Sequence, residues 1–313
     1  MSINFRRRML IAIVMVAAFA PAAAVAQTKV TIGYGPANAW IPAFVAKDQG
    51  IFAKHGLDAT LQLIAIGSNE PAALMANSIQ ISGLNPTIVI FADEGGADIQ
   101  VVANESIQTK TETDGGVIAR TDSNIHTPQD LVGKKVAIPG INSVAHVAFM
   151  KWLQLKGIDP KRIDYVEVPM NRMNDALQGR QVDAAIPVQP FQGQIENNKT
   201  GYFMADFNAD LADPVTTHAV WGMRKDYIDK HPDVVAAFRA SLHEAIDWVK
   251  ANPDAARLTQ TTYLHLPEAV AMKVKLSDYD AEMTPAMMQW WLDACRDLGL
   301  TKNTLTLKDV MAK

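Results

Sequence analysis

Four short segments hold the residue types best suited to chemistry: Gly35-Pro36-Ala37-Asn38-Ala39-Trp40, Gly67-Ser68-Asn69, Asn85-Pro86-Thr87 and Gly140-Ile141-Asn142-Ser143. Each follows a short β-branched run and precedes a helical pattern. Each also joins small residues to an Asn, Ser or Thr where a helix cap would fall, so free backbone N–H groups and the positive end of a helix dipole project beyond the strand. Several helix starts converging on one place suit a small anion. Ser68, Asn85 and Ser143 fit a second role, in which each merely caps its own helix; the recurrence of the pattern along the chain is what favours a ligand. Trp40 fits either a core-facing helix position or an aromatic wall beside a ligand. Arg172, in "PMNRMND", suits an anion's counter-charge or a solvated helix charge.

Other chemistries find little support. There is no GxSxG elbow, HExxH pair or Walker sequence, and "GYGPAN" lacks the third glycine of a dinucleotide fingerprint. The single cysteine, Cys295, excludes an intrachain disulfide and a cysteine-rich zinc site. It lies in "WWLDACRDLGL", an amphipathic pattern that buries a small apolar side chain. His55, His126, His146, His218, His231, His243 and His265 show no ligand spacing, and only His146 and His218 fall near the segments above. The expectation is a protein without catalytic residues, metal or cofactor.

The elements that must position these segments alternate between strand and helix. Runs at 29–35, 58–66, 79–84 and 99–103 alternate with helical patterns at 40–54, 68–77 and after Pro86. A second set follows: runs at 115–120, 134–140, 163–169 and 184–188, with helices at 143–156 and 170–178. This order predicts an α/β fold with two mostly parallel sheets flanked by helices. In such sheets the ligand crevice lies beyond the carboxyl ends of the strands, where the four segments fall. After a strand at 214–223 the chain reads as helical to its end, with Pro232, Pro253, Pro267 and Pro285 near helix starts. Helices without strands of their own must pack on an existing sheet. The expected organisation is therefore 27–116 with 216–313 as one lobe and 117–215 as the other, joined by two crossings.

Residues 1–26 read as an address. Arg6, Arg7 and Arg8 precede the apolar run "MLIAIVMVAAFA", and Ala24-Val25-Ala26 has the small-x-small pattern of a cleavage site. The apolar stretch is broken by Pro21 and falls short of the roughly 20 residues that span a bilayer. No cysteine follows it, so the expectation is a periplasmic protein released by a cleaved Sec signal and not a lipoprotein. Its 313 residues carry 29 Lys and Arg against 33 Asp and Glu, with no run of five or six basic residues, which gives nucleic acid no foothold.

Three further segments resemble the periplasmic substrate-binding proteins of ABC importers, in the subgroup that handles sulfonates, taurine and nitrate and shares its domain with thiamine-pyrimidine synthases. They are "PAFVAKDQGIFAKHGLDATL" at 42–61, "PQDLVGKKVAIPG" at 128–140 and "ALQGRQVDAAIPVQPF" at 176–191, in the expected order and spacing. The resemblance runs to about residue 250. It implies a type II two-lobe fold with hinge closure, a soluble monomeric receptor, and delivery of a small-molecule solute to an ABC permease and, indirectly, its ATPase. It also implies ligand contacts at Asn38, Ala39, Trp40, Gly67, Ser68, Asn85, Pro86, Thr87, Asn142 and Ser143, and from the loop before Phe191, which holds Gln189. Where many relatives have an acidic residue in a Trp-Glu-Pro element, this chain has Val188-Gln189-Pro190, which removes a carboxylate for a ligand ammonium. The alternative is a thiamine-pyrimidine-precursor binding protein or synthase-like enzyme, although the cysteine cluster of those enzymes is missing. Sulfonates, aromatic or weakly charged acids and small neutral heterocycles all remain open as ligands.

Overall fold

A computed structural model describes residues 27–65, 69–110, 115–189, 191–211, 216–302 and 304–313. The chain begins with β1 (Thr28–Tyr34), α1 (Ile41–Asp48), α2 (Ile51–Lys54), β2 (Leu57–Leu63), α3 (Glu70–Met75), β3 (Ile81–Leu84), α4 (Pro86–Glu94) and β4 (Ile99–Gln108). It then builds β5 (Val117–Arg120), β6 (Lys135–Ile138), α5 (Val144–Leu155), β7 (Asp164–Glu167), α6 (Met173–Gln178), β8 (Ala184–Ala185), α7 (Phe191–Asn197), β9 (Gly201–Ala205) and α8 (Phe207–Leu211). The remainder is β10 (Thr216–Arg224), α9 (Lys225–Lys230), α10 (Pro232–Ala251), α11 (Pro253–Tyr263), α12 (Glu268–Ala271), β11 (Asp278–Tyr279), α13 (Pro285–Asp297) and α14 (Leu307–Val310).

Two sheets result. The first has strand order β11-β4-β10-β3-β1-β2 and the second β7-β6-β8-β5-β9. β1 runs parallel to β2 and β3, whereas β10 is antiparallel to β3 and β4 and β11 is antiparallel to β4. In the second sheet β6 runs parallel to β7 and β8, and β5 is antiparallel to β8 and β9. The reversals at β5 and β10 have one cause. Each is the first strand after the chain has passed from one sheet to the other, so it enters at the crevice end and runs away from it.

Several elements differ from the expectation. The single helix read over 40–54 is two, because Gly50 at φ 68° takes a left-handed conformation that ends α1 and starts α2. The run at 184–188 pairs only at Ala184–Ala185. β9 was not foreseen, and neither was β11, which interrupts a stretch read as entirely helical. The prolines did mark helix starts: Pro232, Pro253 and Pro285 occupy the first turn of α10, α11 and α13.

The C-terminal helices return to the first sheet through periodic apolar faces. α10 buries Val234, Val235, Phe238, Ser241, Leu242, Ala245, Ile246 and Val249, a three-to-four-residue spacing. It packs with α1 in a cluster that includes Phe44, Phe52 and Trp221. α13 contributes Met288, Trp291, Leu292 and Cys295 to a second cluster that also holds Val136, Phe149 and Trp152 from the second sheet's surroundings. α4 and α13 both pack against α5, and Lys151 of α5 pairs with Asp297 of α13 at 2.6 Å. The signal-like segment 1–26 lies outside the described residues, and among those described no helix is long and apolar enough to cross a membrane.

Candidate functional site

The loop after β1 is built around a bare glycine and a fixed tryptophan. Trp40 is buried, lies edge-on to Trp221 with ring centroids 4.9 Å apart, and covers Gly83 of β3 so closely that an added Cβ would meet its Cζ3 at 2.7 Å. Asn38 is held on both sides: its Nδ2 donates to the Lys275 carbonyl at 2.9 Å, and its own carbonyl accepts from Tyr279 Oη at 2.8 Å. The segment joining α12 to β11 and β11 itself thus fix the loop, and Ala39 is only partly covered. Gly67 and Ser68 lie outside the described residues.

After β3, Asn85 does not cap its own helix. Its Nδ2 instead donates to the His218 carbonyl of β10 at 2.9 Å, which ties the start of α4 to the strand that crosses between the sheets. Pro86 fills the first helical position, and Thr87 is fully buried with Oγ1 lacking a partner. A buried hydroxyl with no hydrogen bond carries a desolvation cost. The His218 imidazole is held neutral, its pKa lowered to about 4 by burial.

After β6, Ser143 caps α5, its Oγ accepting from His146 N at 3.3 Å. Asn142 takes φ 60°, a left-handed conformation that asparagine tolerates better than most residues. Its backbone N–H donates to His146 Nδ1 at 3.0 Å. Because Nδ1 accepts, the proton of the neutral ring sits on Nε2, which is buried without a hydrogen-bond partner, and burial lowers the pKa to about 4. Tyr165 meets the ring edge-on at 4.5 Å. Glu167 Oε1 accepts from Ile141 N at 2.6 Å and so fixes the other half of the same turn.

Two expected contacts have local partners. Gln189 Oε1 accepts from Gly193 N at 3.3 Å, near the start of α7. Arg172 is largely exposed and pairs with Asp175 at 3.5 Å one turn along the same helical segment, the geometry of a solvated helix charge. Sequence reasoning passed over Glu70. It opens α3 like an ordinary first-turn acid, yet it is 3% exposed and burial raises its pKa to about 8. Nothing in its residue type or first-turn position marks that burial, and its carboxyl lies beside Gly35 at the end of β1.

Known structures share this architecture. The periplasmic aliphatic sulphonate binding protein SsuA of Escherichia coli matches with a TM-score of 0.76 over 92% of this chain and 92% of that one, at 19% identity. The alkanesulfonate-binding protein SsuA of Xanthomonas axonopodis pv. citri, bound to MOPS, matches with a TM-score of 0.74 over 91% and 98%, at 18% identity. The two sheets, with helix starts beyond the carboxyl ends of their strands, have the periplasmic-binding-protein fold. Residues 37–256 match the family described as NMT1/THI5 like, and the chain belongs to that family. The taurine-binding periplasmic protein of Escherichia coli (strain K12) is 28% identical over 290 residues, which cover 92% of this chain and 84% of that protein.

Proposed function

We propose that this protein is a periplasmic solute receptor that captures a small acid-bearing organic solute between its two lobes and delivers it to the permease of an ABC importer. The observation that carries this reading is the pair of helix starts on neighbouring helices of different sheets. α4 begins with the unpartnered Thr87 hydroxyl, α5 begins with Ser143 and the Asn142 turn, and the two helices pack together. Helix N-termini and a hydroxyl together favour a compact anion. The sulfonate and taurine ligands in the names of its relatives support an acid group as the bound end. Asn38, Ala39, Trp40, Gly67, Ser68, Asn85, Pro86, Thr87, Asn142, Ser143, Arg172 and Gln189 form the proposed ligand set.

The receptor works without catalysis. Cys295 is buried within α13, where its thiol is pushed up to about 12, and His146 spends its acceptor nitrogen on the Asn142 backbone. The receptor acts as a monomer after signal cleavage before Gln27, with no lipid anchor, and its lobes divide as 27–116 with 216–313 against 117–215.

Thermal unfolding against sulfonates, nitrate, aromatic carboxylates, pyrimidines and amino acids tests the reading. A ligand at 100 times its dissociation constant adds about 2.7 kcal/mol to the native state. The expected result is a raised midpoint with acid-bearing solutes. A shift with pyrimidines alone would favour the thiamine-precursor alternative, and no shift with any class would remove the receptor reading.

A further inference from the structure

Gly35, the first residue after β1, is buried with two polar side-chain atoms close beside it. Glu70 Oε1 and Trp40 Nε1 each lie 3.5 Å from the position that a Cβ on Gly35 would occupy, so they are separated by at most twice that distance. Both side chains are nearly buried, at 3% and 5% exposure. Among the described residues, neither the Glu70 carboxyl nor the Trp40 indole N–H has a hydrogen-bond or ion-pair partner. A carboxyl buried without a partner is costly, and here an N–H donor and a carboxyl flank the same bare glycine.

We infer that Glu70 is a specificity-determining residue that receives the ammonium end of a zwitterionic solute, with its acid end taken by Trp40 Nε1 and the helix starts. This rests on the receptor reading and narrows its solute to an amino acid or aminosulfonate with its two charges a few bonds apart. The indole N–H can only donate, so it suits the acid oxygen. The carboxyl is the complementary acceptor for N–H donors. Glu70 also supplies the acidic group that the second lobe lacks at Val188-Gln189-Pro190. The geometry of the first lobe thereby restores a partner for an amine that the sequence pattern had removed.

Ionisation follows from the same placement. In the empty protein the carboxyl is held at about 8 by burial alone. Other ionisable groups on the elements packed against α3 lie elsewhere. Arg224 of β10 binds the Met75 carbonyl at the opposite end of α3, Asp93 and Glu94 close the far end of α4, and His218 of β10 is neutral. At pH 7 the acid therefore carries its proton until an ammonium arrives, and binding releases it to solvent as the carboxylate–ammonium pair forms.

Calorimetric titration of the purified protein with taurine and with ethanesulfonate, which lacks only the amine, tests this at pH 7 in two buffers of different ionisation heat. Taurine should bind at least tenfold more tightly and release close to one proton, whereas ethanesulfonate should release none. Glu70→Gln should bring the two ligands within about threefold of each other and abolish proton release while leaving ethanesulfonate affinity unchanged. Gly35→Ala is a second variant: its new Cβ makes only ordinary contacts at 3.5 Å, and a methyl set beside both groups should weaken taurine binding about tenfold. If Glu70→Gln fails to fold, the Gly35→Ala result and the wild-type proton count decide. Equal affinity for the two ligands in the wild type, or a preference that survives Glu70→Gln, would overturn the assignment. If other acids raise the unfolding midpoint but no zwitterion does, the Glu70 inference falls and the receptor reading stands. If nothing in either panel binds, both fall.

Discussion

Glu105 shows how a single buried acid sets a pH dependence. It lies in β4 with no exposure, accepts from Trp221 Nε1 at 2.6 Å through Oε2, and leaves Oε1 without a partner. Burial holds its carboxyl well above the usual range, so the folded protein keeps a proton that the unfolded chain loses above about pH 4.5. Stability from this site is complete below that value and is lost as pH rises. His146 and His218, both lowered to about 4, act in the opposite sense and cost stability as pH falls below about 6.5. Among the described residues, the raised acids dominate above pH 6.5: Glu105, Glu70 at about 8 and Asp93 at about 7. Chemical unfolding should therefore show stability declining from pH 6.5 to 8.5. Glu105→Gln keeps an acceptor for Trp221 and should make that decline shallower. A slope unchanged by the substitution would mean that Glu105 ionises without penalty.

Between elements, the decisive contact is a ring laid over a strand. Trp40 covers Gly83, meets Trp221 edge-on at 4.9 Å, and Trp221 in turn meets Phe238 of α10 at 5.2 Å. A row of aromatic rings thus joins the loop after β1 to the returning C-terminal helix across the first sheet. Gly83→Ala would place a methyl 2.7 Å from the indole, and overpacking of this kind costs about 1–3 kcal/mol. Urea unfolding should show a lower midpoint by that amount, and an unchanged midpoint would mean that Trp40 shifts freely. The sequence left two roles open for Trp40, and the tertiary structure combines them: its ring packs in the core while its Nε1 faces Gly35.

At the scale of the molecule, the chain passes between the two sheets twice, from β4 to β5 and from β9 to β10, and the proposed lobes would turn on one another about these crossings. A solute touching both lobes stabilises the closed form by its differential affinity for it. Small-angle scattering should record a smaller radius of gyration at saturating ligand, and an unchanged radius would rule out closure. The α5 contacts with α4 and α13, including Lys151–Asp297, are where such a motion would have to slide or open.

What the sequence determined on its own was the α/β class, the two sets of strands, the starts of the proline-led helices and the loops that bear polar residues. Those properties are written in local periodicity, caps and proline positions, which act over a few residues. The tertiary structure alone decided which polar groups are buried, and with what. Asn85 reaches a carbonyl 133 residues away instead of capping its helix, Asn38 is held by the segment around Lys275, and Glu70 becomes a buried acid beside Gly35. Burial depends on which distant segments come to cover a side chain, so neither its residue type nor its neighbours in sequence can fix it.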